Sequence, residues 1–212
     1  TITETNTDIT VATHEYAAIA VEDIVEVQAN RDMMTAYSGK LGYALGLAID
    51  DNLAGLVDNF SQTVGALAAE NEWDDFIRAD QYLNDANVPQ DGRAIALSPA
   101  AQAGMLKWDR MLNDDYSFVH GGGRAETSLE RSYRKTLLGV YPIYMSNNVE
   151  GTNAAGHDNG MFQKEALALV MQMQPTVKHQ YDIDYLTDKV AMHQIYGSQE
   201  MRDDHGVWMK GL

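Results

Sequence analysis

YSGKLGYALGLAIDDNLAGLVDNFSQTVG, residues Tyr37–Gly65, decides the fold of this chain. Around it Met34, Tyr37, Leu41, Leu45, Ala48, Leu53, Leu56 and Phe60 recur at spacings of three to five. That period predicts one helix from residue 31 to about 60, with a single apolar face. At 1.5 Å per residue it would be roughly 40 Å long. Gly39, Gly42 and Gly46 fall on one side of it. Each costs about 1 kcal/mol relative to alanine in a helix interior. Two readings stay open: another backbone approaches the stripe closely, or the helix is bent or broken there.

Upstream, Ile2, Ile9 and Val11 alternate with Thr and Glu, which predicts a strand or a frayed polar terminus. Ala17 to Val27 has a helical period, and Asn30 is placed to cap the long helix after it. Downstream, Asn71 is expected to cap a helix carrying Trp73, Phe76, Ile77 and Leu83, with Glu72, Asp74 and Asp75 at its positive end. "NVPQDG" (87–92) has turn chemistry. "RAIALSP" (93–99) reads as a buried strand closed by Ser98 as N-cap and Pro99 at the first helical position. Leu137 to Met145 is a further strand, interrupted by Pro142, and "SNNVEGTNAAGHDNG" (146–160) is a long loop. "ALALVMQMQ" (166–174), Tyr181–Tyr185, Val190–Ile195 and Val207–Met209 read as four closing strands. Helices early and strands late give an α+β class.

The chain has 212 residues, 45% of them apolar and 22% charged, and a net charge of −16. It is long enough for a well-buried core. The acidic field disfavours general binders of nucleic acid or anionic membrane. Cysteine is absent, which excludes disulfides and thiolate metal sites and fits a reducing compartment. No apolar run reaches the ~18 residues of a membrane span. The opening TITETNTDIT shows no signal-peptide pattern.

Chemistry-bearing motifs are sparse. None of His14, His120, His157, His179, His193 and His205 pairs with another at helical i, i+4 spacing. His157–Asp158 and Asp203–His205 resemble fragments of metal sites, whereas a metal centre needs three or four converging ligands. Gly121–Gly123 lacks the phosphate-cradle pattern, and the pairs Asp50–Asp51, Asp74–Asp75 and Asp114–Asp115 read as solvated charge. Arg124, Arg131, Arg134 and Lys135 form a basic cluster that is either a solvated face or a match for an acidic patch on a neighbour. No catalytic, cofactor-binding or metal constellation is expected.

The order of segments is more telling. "AVEDIVEVQANRDMM", the stretch from Tyr37, "LNDANVPQDGRAIALSPAAQAGML", "LLGVYPIYMSNNV" and the tract from Lys164 to Asp204 come one after another. This series resembles the major capsid proteins of tailed bacteriophages, in particular the podovirus and marine-phage type. The phrases "NVP…R…LSP", "G…IYMSNN" and "IYG…RDD" carry most of the likeness, which covers nearly the whole chain.

The resemblance implies an α+β major capsid protein fold with a long spine helix, a peripheral domain and an axial domain. Residues 1–30 would be the returning strand of an extended loop and a short helix, 31–70 the peripheral domain with the spine, 71–160 the axial domain, and 161–212 closing strands shared by both. Against the resembled family the N-terminal arm and the outgoing half of the loop would be missing, and the absent initiator Met and abrupt TITETNT start would fit a truncated or cleaved chain. Implied partners are copies of itself in pentamers and hexamers of an icosahedral shell, a scaffolding protein, a portal and a decoration protein. Double-stranded DNA would be met by weak non-specific proximity, and no membrane. The location would be the virion capsid, assembled in the bacterial host cytoplasm. By topological analogy Gly121, Gly122, Gly123 and Arg124 face the capsomer axis as inter-subunit contacts. The alternatives are a nanocompartment shell protein of the same fold and a metal-dependent hydrolase using His157, Asp158 and the Asp203–His205 turn.

Overall fold

A computed structural model of the chain describes residues 7–29, 33–67, 69–108, 136–137 and 141–212. In chain order its elements begin with β1 (Thr13–Glu22), α1 (Asp23–Ala29), α2 (Met33–Ala54), β2 (Thr63–Gly65), α3 (Trp73–Asp85), β3 (Arg93–Leu97) and α4 (Pro99–Met105). Then come β4 (Thr136–Leu137), β5 (Tyr141–Met145), β6 (Gly151–Thr152), β7 (Gly156–Gln163), β8 (Leu167–Asp182), β9 (Thr187–Glu200) and β10 (Gly206–Gly211). They form two compact units: Thr1–Leu53 with Ala168–Gln199, and Ala54–Leu167 with Glu200–Leu212.

The first unit is a three-stranded sheet, ordered β1-β9-β8, with α2 against one face. β1 pairs antiparallel with β9 from Thr13↔Tyr196 to Glu22↔Thr187. The helical period expected over Ala17–Val27 is overruled there: the strand runs to Glu22, and the helix starts at Asp23. The alternating side chains of Thr13–Glu22 gain a full ladder with a partner far along the chain, and that outweighs local preference. Residues 7–12 lie outside any strand, and Asn30 lies outside the described residues.

The long helix forms as expected but stops at Ala54, short of 60. Leu41 and Leu45 of its apolar face are buried. Its carbonyls also accept from β9: Gln194 Nε2 donates to Leu45 O at 3.0 Å and the Tyr196 hydroxyl lies 3.4 Å from Ala48 O. Ser198 Oγ bonds Asn52 Oδ1 a turn further on. Alternate strand residues thus meet successive helical turns, because two strand steps of about 6.7 Å roughly match one helical pitch of about 5.4 Å. The glycine stripe is exposed; only at Gly42 would a side chain meet another described group, Met192 Sδ at 3.9 Å.

In the second unit the sheet order is β2-β10-β7-β3-β5-β4, with β6 on β7. β2–β10 and β3–β5 are parallel; the other pairs are antiparallel. One face buries Ile95, Leu97, Met161, Val207 and Met209 under Phe76, Ala79 and Leu83 of α3 and Ala101 and Met105 of α4. The other face carries Phe162 and Trp208, packed with Val57, Phe60 and Ala166. Gly160 and Gly206 make that second packing possible. A β-carbon on Gly206 would lie 2.2 Å from the Phe60 ring, and one on Gly160 2.8 Å from Val57.

Several expectations are met and several corrected. Ser98 caps α4 by accepting from Ala101 N at 3.1 Å, with Pro99 next. Asn71, expected to cap α3, is instead buried; Glu72 is the cap, and its N–H donates to Asp75 Oδ2 at 2.9 Å. The strand expected over Leu137–Met145 is two antiparallel strands, β4 and β5, with Leu137 opposite Tyr141. The loop expected over 146–160 contains β6 and the start of β7, since pairing with β3 and β10 outweighs the Gly/Asn propensity. The strands expected at 166–174 and 181–185 are one, β8, with Ile183 and Tyr185 in the turn after it. Pro175 is tolerated because among the described strands β8 lies at the edge of its sheet, where one row of N–H groups has no partner strand to serve.

Arg93 organises the second unit. Its side chain is 0% exposed. Nη1 donates to Asp80 Oδ1 at 2.8 Å and Tyr141 Oη at 3.4 Å, Nε to Pro89 O at 3.1 Å, and Nη2 to Val88 O at 2.5 Å. Burial and the neighbouring Asp80 carboxylate push the Tyr141 hydroxyl above its ordinary range. Arg93→Met would leave Asp80 without its cation and two carbonyls without donors, and should cost about 3–5 kcal/mol. Arg93→Lys should recover only part, because an ammonium cannot reproduce the planar fork. Urea unfolding followed by the fluorescence of Trp73 and Trp108, which lie in this core, reads both; an unshifted midpoint for Arg93→Met would refute the assignment.

In the first unit Tyr196 is fully buried and donates to Glu15 Oε1 at 3.0 Å. Burial first, then that carboxylate, push its hydroxyl from 10.0 up to about 12. An unfolded tyrosine ionises near 10.0, so above that pH the unfolded chain binds fewer protons than the folded one. The stability is therefore complete below pH 10 and lost as pH rises towards 12, by at most about 3 kcal/mol. Tyr196→Phe should cost about 1 kcal/mol at pH 8, and its deficit relative to wild type should shrink above pH 10. Thermal midpoints between pH 8 and 11.5 measure this; a constant deficit would contradict it.

Candidate assembly surfaces

Among the described elements β8 is the long strand with the most exposed side chains. Every residue from Leu169 to Pro175 is exposed, including Leu169, Val170, Met171 and Met173. Successive side chains of a strand point to opposite faces, so among the described residues both faces of β8 are uncovered there and one of its edges has no partner strand. A long apolar edge strand is a template for association with other chains.

A second surface forms where the β8–β9 turn meets α1. Asp23 N donates to Leu186 O at 3.0 Å, and the Tyr181 hydroxyl donates to Asp23 Oδ2 at 2.7 Å. That carboxylate raises the Tyr181 hydroxyl above its ordinary range. Lys189 holds the Asp182 carboxyl below its own. Leu186 has φ 47°, a left-handed turn position. The result is an apolar knob of Ile24, Val25, Ile183, Tyr185 and Leu186, with Ile183 and Tyr185 76% and 74% exposed. Large exposed apolar groups gathered near one junction are a feature of interaction surfaces rather than of isolated monomers. Sequence reading missed this surface, since the start of α1 and the β8–β9 turn meet only through the fold, and within 181–186 the apolar residues are broken by Asp182 and Asp184.

The metal-like fragments do not converge. His157 pairs with Gly211 at one end of β10, whereas Asp203–His205 precede Gly206 at the other. Five strand steps, about 17 Å, separate those ends. Each group also has another partner. His157 Nε2 lies 3.0 Å from Asn153 Oδ1, and Asp158 Oδ1 accepts from Trp208 Nε1 at 2.9 Å. Asp203 accepts from Ser61 N at 2.7 Å and from the Ser61 hydroxyl. Burial, then the Asp203 charge, raise the Glu200 carboxyl. Among the described residues, no three His, Asp or Glu side chains are placed to hold a metal ion. Gly121, Gly122, Gly123 and Arg124, with Arg131, Arg134 and Lys135, lie outside the described residues.

The recognisable phrases turn out to be structural locks. Val88 and Pro89 of "NVP" supply the carbonyls that hold Arg93. Ser98 of "LSP" caps α4, and its N–H donates to the buried Asn159 Oδ1 at 2.7 Å. "IYG…RDD" contributes Tyr196 to the first unit and Asp203 to the anchor on Ser61.

No family model and no curated protein matches the sequence. Solved structures do. A chain from Mycobacterium phage Che8 superposes with a TM-score of 0.81 at 24% identity, over 97% of this chain and 73% of that one. The capsid structure of the cyanophage P-SCSP1u gives 0.73 at 15% identity, over 96% and 73%. A virus-like particle from Pyrococcus furiosus gives 0.64 at 12% identity, over 93% and 76%. Along nearly its whole length, the chain has the fold of the tailed-phage major capsid proteins.

Proposed function

We propose that this chain is a structural subunit that self-assembles into the pentamers and hexamers of an icosahedral phage capsid around double-stranded DNA. The observation that carries the reading is the fold likeness to the cyanophage capsid over 96% of the chain. The bare β8 and the apolar knob support it, because a subunit of a shell buries such surface against its neighbours. The net charge of −16 keeps a shell wall from adhering to packaged DNA.

In this reading residues 1–30 supply an inter-subunit strand, 31–70 the peripheral part with the spine helix, 71–160 the axial part, and 161–212 the strands shared between them. Gly121–Arg124 face the capsomer axis. A scaffolding protein, a portal and a decoration protein are the further partners, and assembly takes place in the host cytoplasm. The Pyrococcus furiosus particle favours a second reading, a nanocompartment shell. Nucleic acid content separates the two: particles that enclose protein cargo without double-stranded DNA would favour the compartment.

The gene product, viewed by negative-stain electron microscopy, should give rings or shells. The double variant Tyr185→Asp with Leu186→Asp should keep its circular dichroism spectrum and lose most of those particles, because two charges would have to be desolvated at each contact. A wild-type protein that stays small and monodisperse at high concentration would overturn the shell reading. Unimpaired particles from the variant would remove the knob from the interfaces.

A further inference from the structure

The β1–β9 ladder brings together two histidines 179 positions apart, and no structural bond already described uses them. In the register Tyr16 lies opposite His193, and His14 lies opposite Ile195. Directly opposed residues share a face of a sheet, so both imidazoles stand on one face. It is the face away from α2, since the alternate residues Gln194 and Tyr196 carry the bonds to that helix. His14 Nε2 and His193 Nδ1 are 3.4 Å apart, with the rings edge to face at 78°.

We propose that His14 and His193 supply two of the ligands of a surface site for a borderline divalent transition-metal ion, with zinc as the reference and water molecules completing the three or four ligands a bound ion needs. A tetrahedral zinc with bonds of about 2.0–2.1 Å holds two cis nitrogens about 3.3–3.4 Å apart. The observed separation matches that span. In the ring–ring hydrogen bond one facing nitrogen donates to the other; the ion replaces that bond when the donor ring moves its proton to its other nitrogen, so that both facing atoms present lone pairs. Two paired strands fix the backbone under both rings, which reduces the entropy lost on binding. His14 is exposed, leaving the remaining coordination positions to water. The acidic chain as a whole attracts divalent cations. Glu15 on the opposite face is engaged by Gln194 and Tyr196, so the donor set is imidazole rather than carboxylate. This selects zinc, nickel or copper over magnesium or calcium.

Isothermal titration of the chelator-treated gene product with zinc chloride tests the site. One saturable equivalent per chain is expected. Affinity should fall roughly tenfold or more in His14→Gln and in His193→Gln, each a loss of one of two ligands. It should be unchanged in His179→Gln, whose imidazole instead lies 3.1 Å from Asp188. Zinc should also raise the thermal midpoint of wild type and of neither chelate variant, because the ion would tie β1 to β9 only in the folded chain. Circular dichroism establishes that the variants fold. Binding that is non-saturable, that survives both substitutions, or that disappears with His179 would overturn the proposal.

Discussion

A positive charge buried without solvent must be met by fixed acceptors, and Arg93 imposes that condition on the whole second unit. Four acceptors from α3, the 88–89 turn and β5 surround one guanidinium. Because the fork is planar, those acceptors must stand in one relative arrangement, and the turn cannot drift away from the helix or the strand. β3, which carries Arg93, lies between β5 and β7 in the sheet. The position of the charge therefore also fixes the strand on which both apolar faces are built. Asn159 plays a neutral version of the same part, receiving Ser98 N and lying within 3.5 Å of Gly211 O.

The first unit obeys a different balance. Its buried set is small, chiefly Val21, Leu41, Leu45, Val190, Gln194 and Tyr196, and it relies on hydrogen bonds between β9 and the carbonyls of α2. β8 and the knob add large apolar area that this set does not cover. Exposed apolar surface of that kind is costly in an isolated chain and is relieved by association. The second unit buries apolar side chains on both faces of its sheet, whereas the first leaves the apolar side chains of β8 and of the β8–β9 turn exposed.

Much of this was legible locally. The 93–97 strand and the Ser98–Pro99 start of α4 derive from an apolar run, a side-chain cap and a proline that needs no donor. The apolar face of α2 came from its period, and the buried Leu41 and Leu45 lie on it. Local reading failed elsewhere for one reason. Ala17–Glu22 suits a helix or a strand, and only the ladder to Thr187–Met192 decides between them. Asn71 is a good cap by type, yet Gly65 and Gly211 leave room that its side chain fills. The knob, and the meeting of His14 with His193, had no local sign, because each joins segments more than 150 positions apart.

By itself, then, the sequence determined the class, the long helix, the capped second-unit strand and the likeness in segment order to capsid proteins. These rest on periodicity, capping and turn chemistry, which act over a few residues. Tertiary structure alone decided which ambiguous segments became strands, which charge was buried, where apolar surface stayed bare and which histidines met. Each of those outcomes depends on free energy gained between distant segments, and no short window of sequence contains it.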